Sequence, residues 1–186
     1  MEVPQNISIK DLLLDFSPKM TKEAIALSGN AASLAGTEFT LVVDVSGTTY
    51  RYIVKNGKDF DVAEGDLETP LVRVRVSKED LTRMIQKNEL DMLLGIQNDL
   101  TRAKYDAMKR LKGTMTAKLA NDDGTEYTIA ACFQGADTPK TTFRLKTSDS
   151  AALARKESNP VNLFMSGAMK IEGDMAFAMT TQPLFS

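Results

Sequence analysis

A few polar side chains of this sequence have spacings at which chemistry is conceivable. Glu172 and Asp174 lie two residues apart, as paired catalytic carboxylates or metal ligands could, and the run NDDG at 121–124 begins like a calcium-binding loop. That run lacks the later glutamate of a calcium loop, so a hairpin turn is the better interpretation. The two carboxylates lie beside Lys170, and we interpret them as part of a solvated strand face.

The candidate nucleophiles lack the partners that would activate them. The chain contains no histidine, which Ser-His and Cys-His pairs and most zinc sites require. Cys132 is the one cysteine and stands among small and apolar residues, while Ser166-Gly167 lacks the leading glycine of a nucleophile elbow. We therefore expect no catalytic residue, no metal site, no cofactor and no intrachain disulfide.

The most informative pattern in the segment from Asn159 to Met179 is the spacing of its apolar residues. Asn159 is suited to cap a short helix that Pro160 begins. Charged and apolar residues then alternate, which predicts a long strand. The apolar face of this strand would consist of Met169, Ile171, Met175, Phe177 and Met179.

Gly173 interrupts that apolar face at its middle. A strand interior contains glycine where a bulge, a bend or a close approach requires it, so we expect a notch in the face. Three of the five apolar residues are methionines, whose flexible thioethers suit a surface that meets ligands of variable shape. On spacing alone, ordinary core packing remains the alternative.

The segment FMSGAMKIEGDM resembles the carboxyl end of the sterol carrier protein-2 (SCP-2) family. Members of that family show a phenylalanine, a glycine, a lysine-flanked strand and then Gly-Asp or Gly-Asn followed by methionine. The resemblance is clearest over 159–179 and weaker upstream. The matching positions here are Phe164, Gly167, Lys170, Ile171, Gly173, Asp174 and Met175.

The resemblance implies an α/β (α+β) fold, with helices packed on one face of a mostly antiparallel mixed sheet. It also implies a non-catalytic carrier that holds a long-chain apolar or amphipathic ligand between the two layers: a fatty acid, acyl-CoA, phospholipid, sterol or quinone. The residues expected to line this cavity are Leu81, Met84, Ile85, Leu93, Phe164, Met165, Met169, Ile171, Gly173, Met175, Phe177 and Met179.

A second function remains open at this point. The chain could be a structural or partner-binding accessory domain with a closed core and no lipid ligand. A carrier could also make transient contact with a membrane or an enzyme. Its oligomeric state does not follow from the sequence.

The composition limits the classes of binding partner and the cellular location that we expect. The formal net charge is −2 and no long basic block occurs, so we expect no nucleic-acid binding. The first residues lack the basic start and apolar stretch of a secretory signal, and no window approaches the ~20 apolar residues of a spanning helix. A cytoplasmic protein is the expectation.

Upstream of the SCP-2-like segment, the pattern predicts two hairpins and several helices. Strands are expected over 39–45 and 50–54, then over 72–76, where Ser77 would cap a helix. A second hairpin is expected over 115–119 and 127–133. Apolar spacing predicts one helix from Leu90 to Leu111, and amino-terminal helices that turn Met20, Ala24 and Leu27 inward.

An internal repeat is predicted from the two hairpins. The sequence GTTY at 47–50 corresponds to GTEY at 124–127, and Gly36-Thr37 to Gly113-Thr114, at constant spacing. We interpret the chain as one SCP-2-like unit, 1–186, that can be divided into half-repeats 1–94 and 95–186.

Overall fold

A mixed sheet of eight strands spans the molecule in the computed structural model, which describes residues 2–186 except for the side chains of Ile96 and Asn98. The strand order is β3-β2-β1-β4-β6-β5-β7-β8. The pairs β1–β4 and β5–β7 are parallel and the remaining pairs are antiparallel. The strands are β1 (Glu38–Val45), β2 (Thr48–Lys55), β3 (Asp59–Glu64), β4 (Val72–Val76), β5 (Gly113–Ala120), β6 (Glu126–Phe133), β7 (Lys140–Lys146) and β8 (Lys170–Gly173).

The helices cover one face of this sheet, which confirms the predicted fold class. Short 3-10 helices at Asn30–Leu34 and Gln182–Phe185 add to the cover. Among the described residues, no helix has the length and apolar character needed to cross a bilayer. The α-helices are α1 (Ile9–Asp11), α2 (Ser17–Ser28), α3 (Lys78–Lys87), α4 (Asp91–Asn98), α5 (Arg102–Arg110), α6 (Thr147–Ala154), α7 (Pro160–Met165) and α8 (Met175–Thr180).

Alternation along the strands creates the two faces of the sheet. In β1, every second residue from Phe39 to Val45 is buried beneath the helices. The opposite face carries ion pairs between neighbouring strands, including Arg51 with Asp61 and Arg144 with Glu172. The first predicted hairpin is confirmed, and Ser46 and Gly47 at its turn both have positive φ as a two-residue turn requires.

The amino-terminal helices face the core with a different side from the one predicted. Leu27 is 89% exposed, whereas Thr21 and Ile25 are buried. Between α1 and α2, the segment Leu12–Phe16 is a π-helical turn. Its wider turn rotates all the following residues about the helix axis, so an uninterrupted 3.6-residue period selects the wrong face.

The long helix predicted from Leu90 to Leu111 is two helices, α4 and α5. Thr101 has an extended backbone, and its hydroxyl accepts the Lys104 amide at 3.2 Å as the cap of α5. The link contains Asp99, which contacts the ammonium groups of Lys104 at 2.6 Å and Lys156 at 2.7 Å. Capping and ion pairing therefore replace continuous helix at this point.

The strand order β2-β1-β4 recurs as β6-β5-β7, with a parallel third strand in both cases. The hairpin loops differ, since Val45 pairs with Thr48 but Ala120 pairs with Glu126 across a longer loop. An ungapped alignment of the hairpins does not reproduce these pairings. The internal duplication and its two half-repeats stay a prediction.

Candidate functional site

An apolar cavity of about 200 Å³ lies between the sheet and the helices at the β8 edge. Strands β5, β7 and β8 form its floor, and α4, α6, α7 and α8 form its walls. Its polar lining consists of Thr181 and Gln182, and the Thr181 hydroxyl already donates to the carbonyl of Ala178 at 2.7 Å. Six methionines contribute to the lining: Met92, Met115, Met165, Met169, Met175 and Met179.

Exposed apolar side chains surround the opening of this cavity. Met165 on α7 is 78% exposed and Met179 on α8 is 58% exposed, and Phe164 and Met175 are also exposed. Large apolar groups exposed next to one another mark binding surfaces more often than scattered ones do. The cavity is therefore accessible from outside between α7 and α8.

Local sequence signals fix the position of α7. The Asn159 side chain accepts the amide of Asn162 at 2.8 Å, which confirms the predicted cap, and Pro160 occupies the first helical position. Leu163 is buried and anchors the helix. With Leu163 turned inward, Phe164 and the residues beside it border the cavity.

The predicted long strand is wrong after residue 173. Strand β8 ends at Gly173, and Asp174 caps α8 by accepting the amide of Phe177 at 2.7 Å. Met175 and Met179 then lie four residues apart on one side of a helix, and both line the cavity. Phe177 faces away from the cavity toward Gly113, where its ring would be 2.8 Å from an added Cβ.

Gly173 does not form a notch in the cavity wall. Its φ is +91°, and a Cβ at this position would lie 2.5 Å from the carbonyl oxygen of Lys140. That oxygen accepts the amide of Asp174 at 2.8 Å. Glycine is required here because a Cβ at residue 173 would point at the backbone of β7 and not into the cavity.

The structure brings half of the predicted lining residues together at this apolar cavity, which we call the main cavity. Leu93 borders a neighbouring inner cavity, and Ile85 borders a polar depression near the amino terminus. Leu81 and Met84 are fully buried in the core between α3 and the sheet. The six predicted residues that line the main cavity are Phe164, Met165, Met169, Ile171, Met175 and Met179.

The carboxyl-terminal region that builds this cavity also carries the sequence match. Residues 96–186 match the SCP-2 sterol transfer family. The match confirms the resemblance for these residues, which we call the SCP-2 region. Apart from Met92, every residue of the main cavity lies within it.

Several solved structures are similar to this chain, including the following three. Sterol carrier protein 2 from Yarrowia lipolytica, in its apo form, is 20% identical, with 42% of this chain and 76% of that chain covered and a TM-score of 0.35. Sterol carrier protein domain 2 of Helicoverpa armigera is 22% identical over 54% and 84%, with a TM-score of 0.39. A structure titled UbiJ-SCP2 ubiquinone synthesis protein is 12% identical over 97% and 93%, with a TM-score of 0.30. Among curated proteins, no sequence matches this chain.

Several lining residues of the SCP-2 region were not predicted from the sequence. Phe143 and Leu145 on β7, Ala117 on β5 and Phe185 near the carboxyl terminus all border the cavity. Ala117 gave the one usable signal, because alanine at an inward-facing strand position leaves space that Val or Leu would fill. Accordingly, Ala117 is only half-buried although it faces the helix layer.

A smaller inner cavity of about 70 Å³ continues beneath α4 toward the middle of the sheet. Four residues line both cavities and form the partition between them: Met92, Met115, Ala117 and Phe185. Within the inner lining, Gln97 is the polar residue. Its carbonyl accepts the buried Ser17 hydroxyl at 3.0 Å.

The polar residues considered first have structural partners. Glu172 contacts Arg144 at 2.9 Å. In the loop at 121–124, the Thr125 hydroxyl and then Lys87 hold the pKa of Asp123 well below its usual range. Cys132 is buried, and its thiol lies 3.4 Å from the carbonyl of Ala136. Among the described residues, no three acidic, cysteine or histidine side chains are grouped to hold a metal.

Proposed function

We propose that this protein is a carrier that binds a long-chain apolar or amphipathic ligand in the main cavity and has no catalysis of its own. The observation that carries the proposal is the cavity itself: an apolar space, open between α7 and α8, with exposed apolar side chains at its mouth. The match of the SCP-2 region to a sterol transfer family supports lipid binding in general. Fatty acids, acyl-CoA, phospholipids, sterols and quinones are the proposed classes.

The size of the cavity favours a flexible or partly exposed ligand. Its volume of about 200 Å³ is below the ~300 to 1,000 Å³ of typical small-molecule sites. Part of the ligand would therefore cover Met165 and Met179 at the mouth, or the methionines would rearrange to enlarge the space. Burial of each methylene contributes about 0.8 kcal/mol, so affinity should rise with the length of the ligand chain.

A closed core is less well supported as an alternative. Inward-facing residues at the centre of a sheet are normally fully buried, but Val74 and Ala117 keep accessible surface beside the cavities. The exposed residues at the mouth could instead contact a protein partner. The carrier proposal differs from this alternative because it requires occupancy of the cavity.

Displacement of a fluorescent fatty acid by unlabelled lipid tests the proposal. Wild type should bind the probe, and lipid at about a hundred times its Kd should add roughly 2.7 kcal/mol to the free energy of unfolding. Ala117→Leu places a larger side chain in the cavity and should weaken binding by about tenfold or more, while the protein stays folded. Absence of both probe binding and lipid-induced stabilisation in wild type would refute the carrier function.

Ala130→Leu is the matched control. Ala130 lies on β6, the strand paired with β5, but faces the opposite side of the sheet from the cavity. The same substitution there should leave the Kd for the probe unchanged. Equal weakening by the two variants would indicate a general disturbance of the sheet and would count against the cavity as the binding site.

A further inference from the structure

Gln97 is the one polar side chain among the described residues that line the inner cavity, and its burial is unusual for an amide. It is 8% exposed, and the hydroxyl of Ser17, itself buried, donates to its Oε1 at 3.0 Å. In this arrangement the Nε2 group lies on the side of the amide away from Ser17. Among the described residues, none accepts a hydrogen bond from its Nε2 group.

The free Nε2 group is not sealed in by protein atoms. Among the described residues, the buried side-chain nitrogen that lacks both a partner and accessible surface is Nε of Arg83. Nε2 of Gln97 is not among such sealed atoms of the described residues, and Gln97 is one of the residues that line the inner cavity. Two N–H donors at the end of an otherwise apolar cavity can receive an acceptor atom.

We propose that Gln97 binds a neutral hydrogen-bond acceptor, such as a ketone, ester or quinone carbonyl, at the inner end of the ligand. This inference rests on the proposed carrier function and adds the orientation of the ligand to it. The ligand would lie with its carbonyl in the inner cavity and its hydrocarbon chain in the main cavity.

The charge of the lining excludes a free carboxylate from this end. The described lining of the inner cavity contains no Lys or Arg side chain. An ionised carboxylate there would lose its hydration without gaining a cation, which is far more costly than burying a carbonyl that accepts a hydrogen bond. A fatty acid would therefore keep its carboxylate at the mouth.

Access to Gln97 runs through the partition between the two cavities. Met92 and Met115 have flexible side chains that can move aside at little cost. Phe185 is partly exposed and lies in the last short helix of the described chain. A ligand can therefore pass from the main cavity to Gln97 without rearrangement of the sheet.

Binding of three probes with one chain length tests the proposal: a methyl ketone, the corresponding alkane and the corresponding carboxylic acid at neutral pH. Wild type should bind the ketone about tenfold more tightly than the alkane, because the alkane leaves the Gln97 donors unpaired. Gln97→Leu and Gln97→Met remove the donors and should abolish this preference while alkane affinity holds or rises. In the same two variants, the preference that wild type shows for the ketone over the acid should also disappear.

The outcomes separate this proposal from the proposed function. If no probe binds wild type, the carrier function itself fails. If wild type binds ketone and alkane equally, the cavity binds ligands but Gln97 does not select them, and this comparison needs no variant to fold. A ketone preference that survives in either Gln97 variant would also overturn the assignment. Ser28→Ala, on the exposed end of α2, is the control and should preserve the preference.

Discussion

The two ends of the sheet bury their helix-facing sides in different ways. In the closed half, β1–β4 with α1–α3, large side chains fill the space away from the small inner cavity, which β1 and β4 border. Tyr52 and Met84 are almost wholly buried there, and the Tyr52 hydroxyl donates to the carbonyl of Leu13. In the open half, β5–β8 with α6–α8, the small residues Ala117 and Ala178 line a cavity together with six methionines. A similar strand order thus supports either a filled core or a binding space.

The inward-facing residues of the two hairpins differ in size, and this affects how much space remains beneath the helices. The inner positions of β2 are Tyr50, Tyr52 and Val54, whereas those of β6 are Tyr127, Ile129, Ala131 and Phe133. Tyr127 and Phe133 are almost wholly buried, and the smaller Ile129 and Ala131 lie beside the inner cavity. The difference lies in side-chain size and not in the strand pattern.

The largest expected effect is on the closed half. Leu81→Ala removes a side chain that is fully buried on α3 and should lower the free energy of unfolding by about 2 to 5 kcal/mol. Leu153→Ala on α6 is the matched variant, since Leu153 is also buried but borders the cavity. It should cost at least about 1 kcal/mol less, because fewer contacts are lost. Equal costs in urea unfolding would mean that the open half is packed as tightly as the closed one.

A second prediction concerns the end of β8. Gly173→Ala should destabilise by about 2 to 4 kcal/mol, because the new Cβ would meet the Lys140 carbonyl and the backbone has a positive φ. Gly167→Ala is the control, since Gly167 also has a positive φ but has open space around it, and it should cost only about 1 kcal/mol. Saturating lipid should leave the difference between the variants unchanged. A loss that lipid restores would place Gly173 in the binding site after all.

The third prediction concerns the polar link above the open half. Partial burial alone would raise the pKa of Asp99, but hydrogen bonds from Lys104 and Lys156 lower it below its usual value. The stabilisation is therefore complete above the unfolded-state pKa of about 3.9 and is lost as the pH falls through the folded-state value. Asp99→Asn leaves the buried Lys104 without its carboxylate and should cost about 1 to 3 kcal/mol at pH 7, and much less in strong acid.

Asp91→Asn serves as the control for Asp99→Asn. Asp91 contacts Arg155 at 3.5 Å in an exposed pair, so its replacement should change stability by less than about 0.5 kcal/mol. Urea unfolding of both variants at several pH values makes the comparison. A cost for Asp99→Asn that does not depend on pH would show that the ion pair is not its source.

The smallest effect on stability is expected at the mouth of the cavity. Met165→Ala should change the free energy of unfolding by less than about 0.5 kcal/mol, because the side chain is mostly exposed, yet it should weaken lipid binding by about threefold to tenfold. Leu27→Ala removes a side chain on α2 that is even more exposed and lies far from the cavity in sequence, and it should leave binding unchanged. If both variants bound lipid equally well, the exposed residues at the mouth of the cavity would not be part of the binding site.

The sequence predicted local elements well where capping and alternation agreed. Asn159 and Ser77 cap helices as expected, and both hairpins form. The strand prediction failed at 174–180, where large residues at every second position resemble the pattern of a strand. The intervening positions are alanines and not polar residues, so the helix formers after an Asp cap were the better guide.

The cavity could be predicted only in part, because its lining combines distant segments. The resemblance led to Phe164, Met169 and Ile171 on α7 and around β8, whereas Phe143 and Phe185 join them only after folding. The rotation of α2 follows from a π-helical turn, and the residue types of that segment do not predict such a turn. Space inside a protein depends on how several side chains fit together, and a single sequence does not state this.

Native mass spectrometry of gently purified protein tests the central claim most directly. Wild type should carry a noncovalent lipid-sized adduct, or acquire one in stoichiometric amount when a long-chain lipid is added. Ala117→Leu should carry markedly less, and Ala130→Leu should match wild type. Wild type that stays free of adduct at saturating lipid, or an adduct that Ala117→Leu retains in full, would contradict a ligand-binding cavity in the open half.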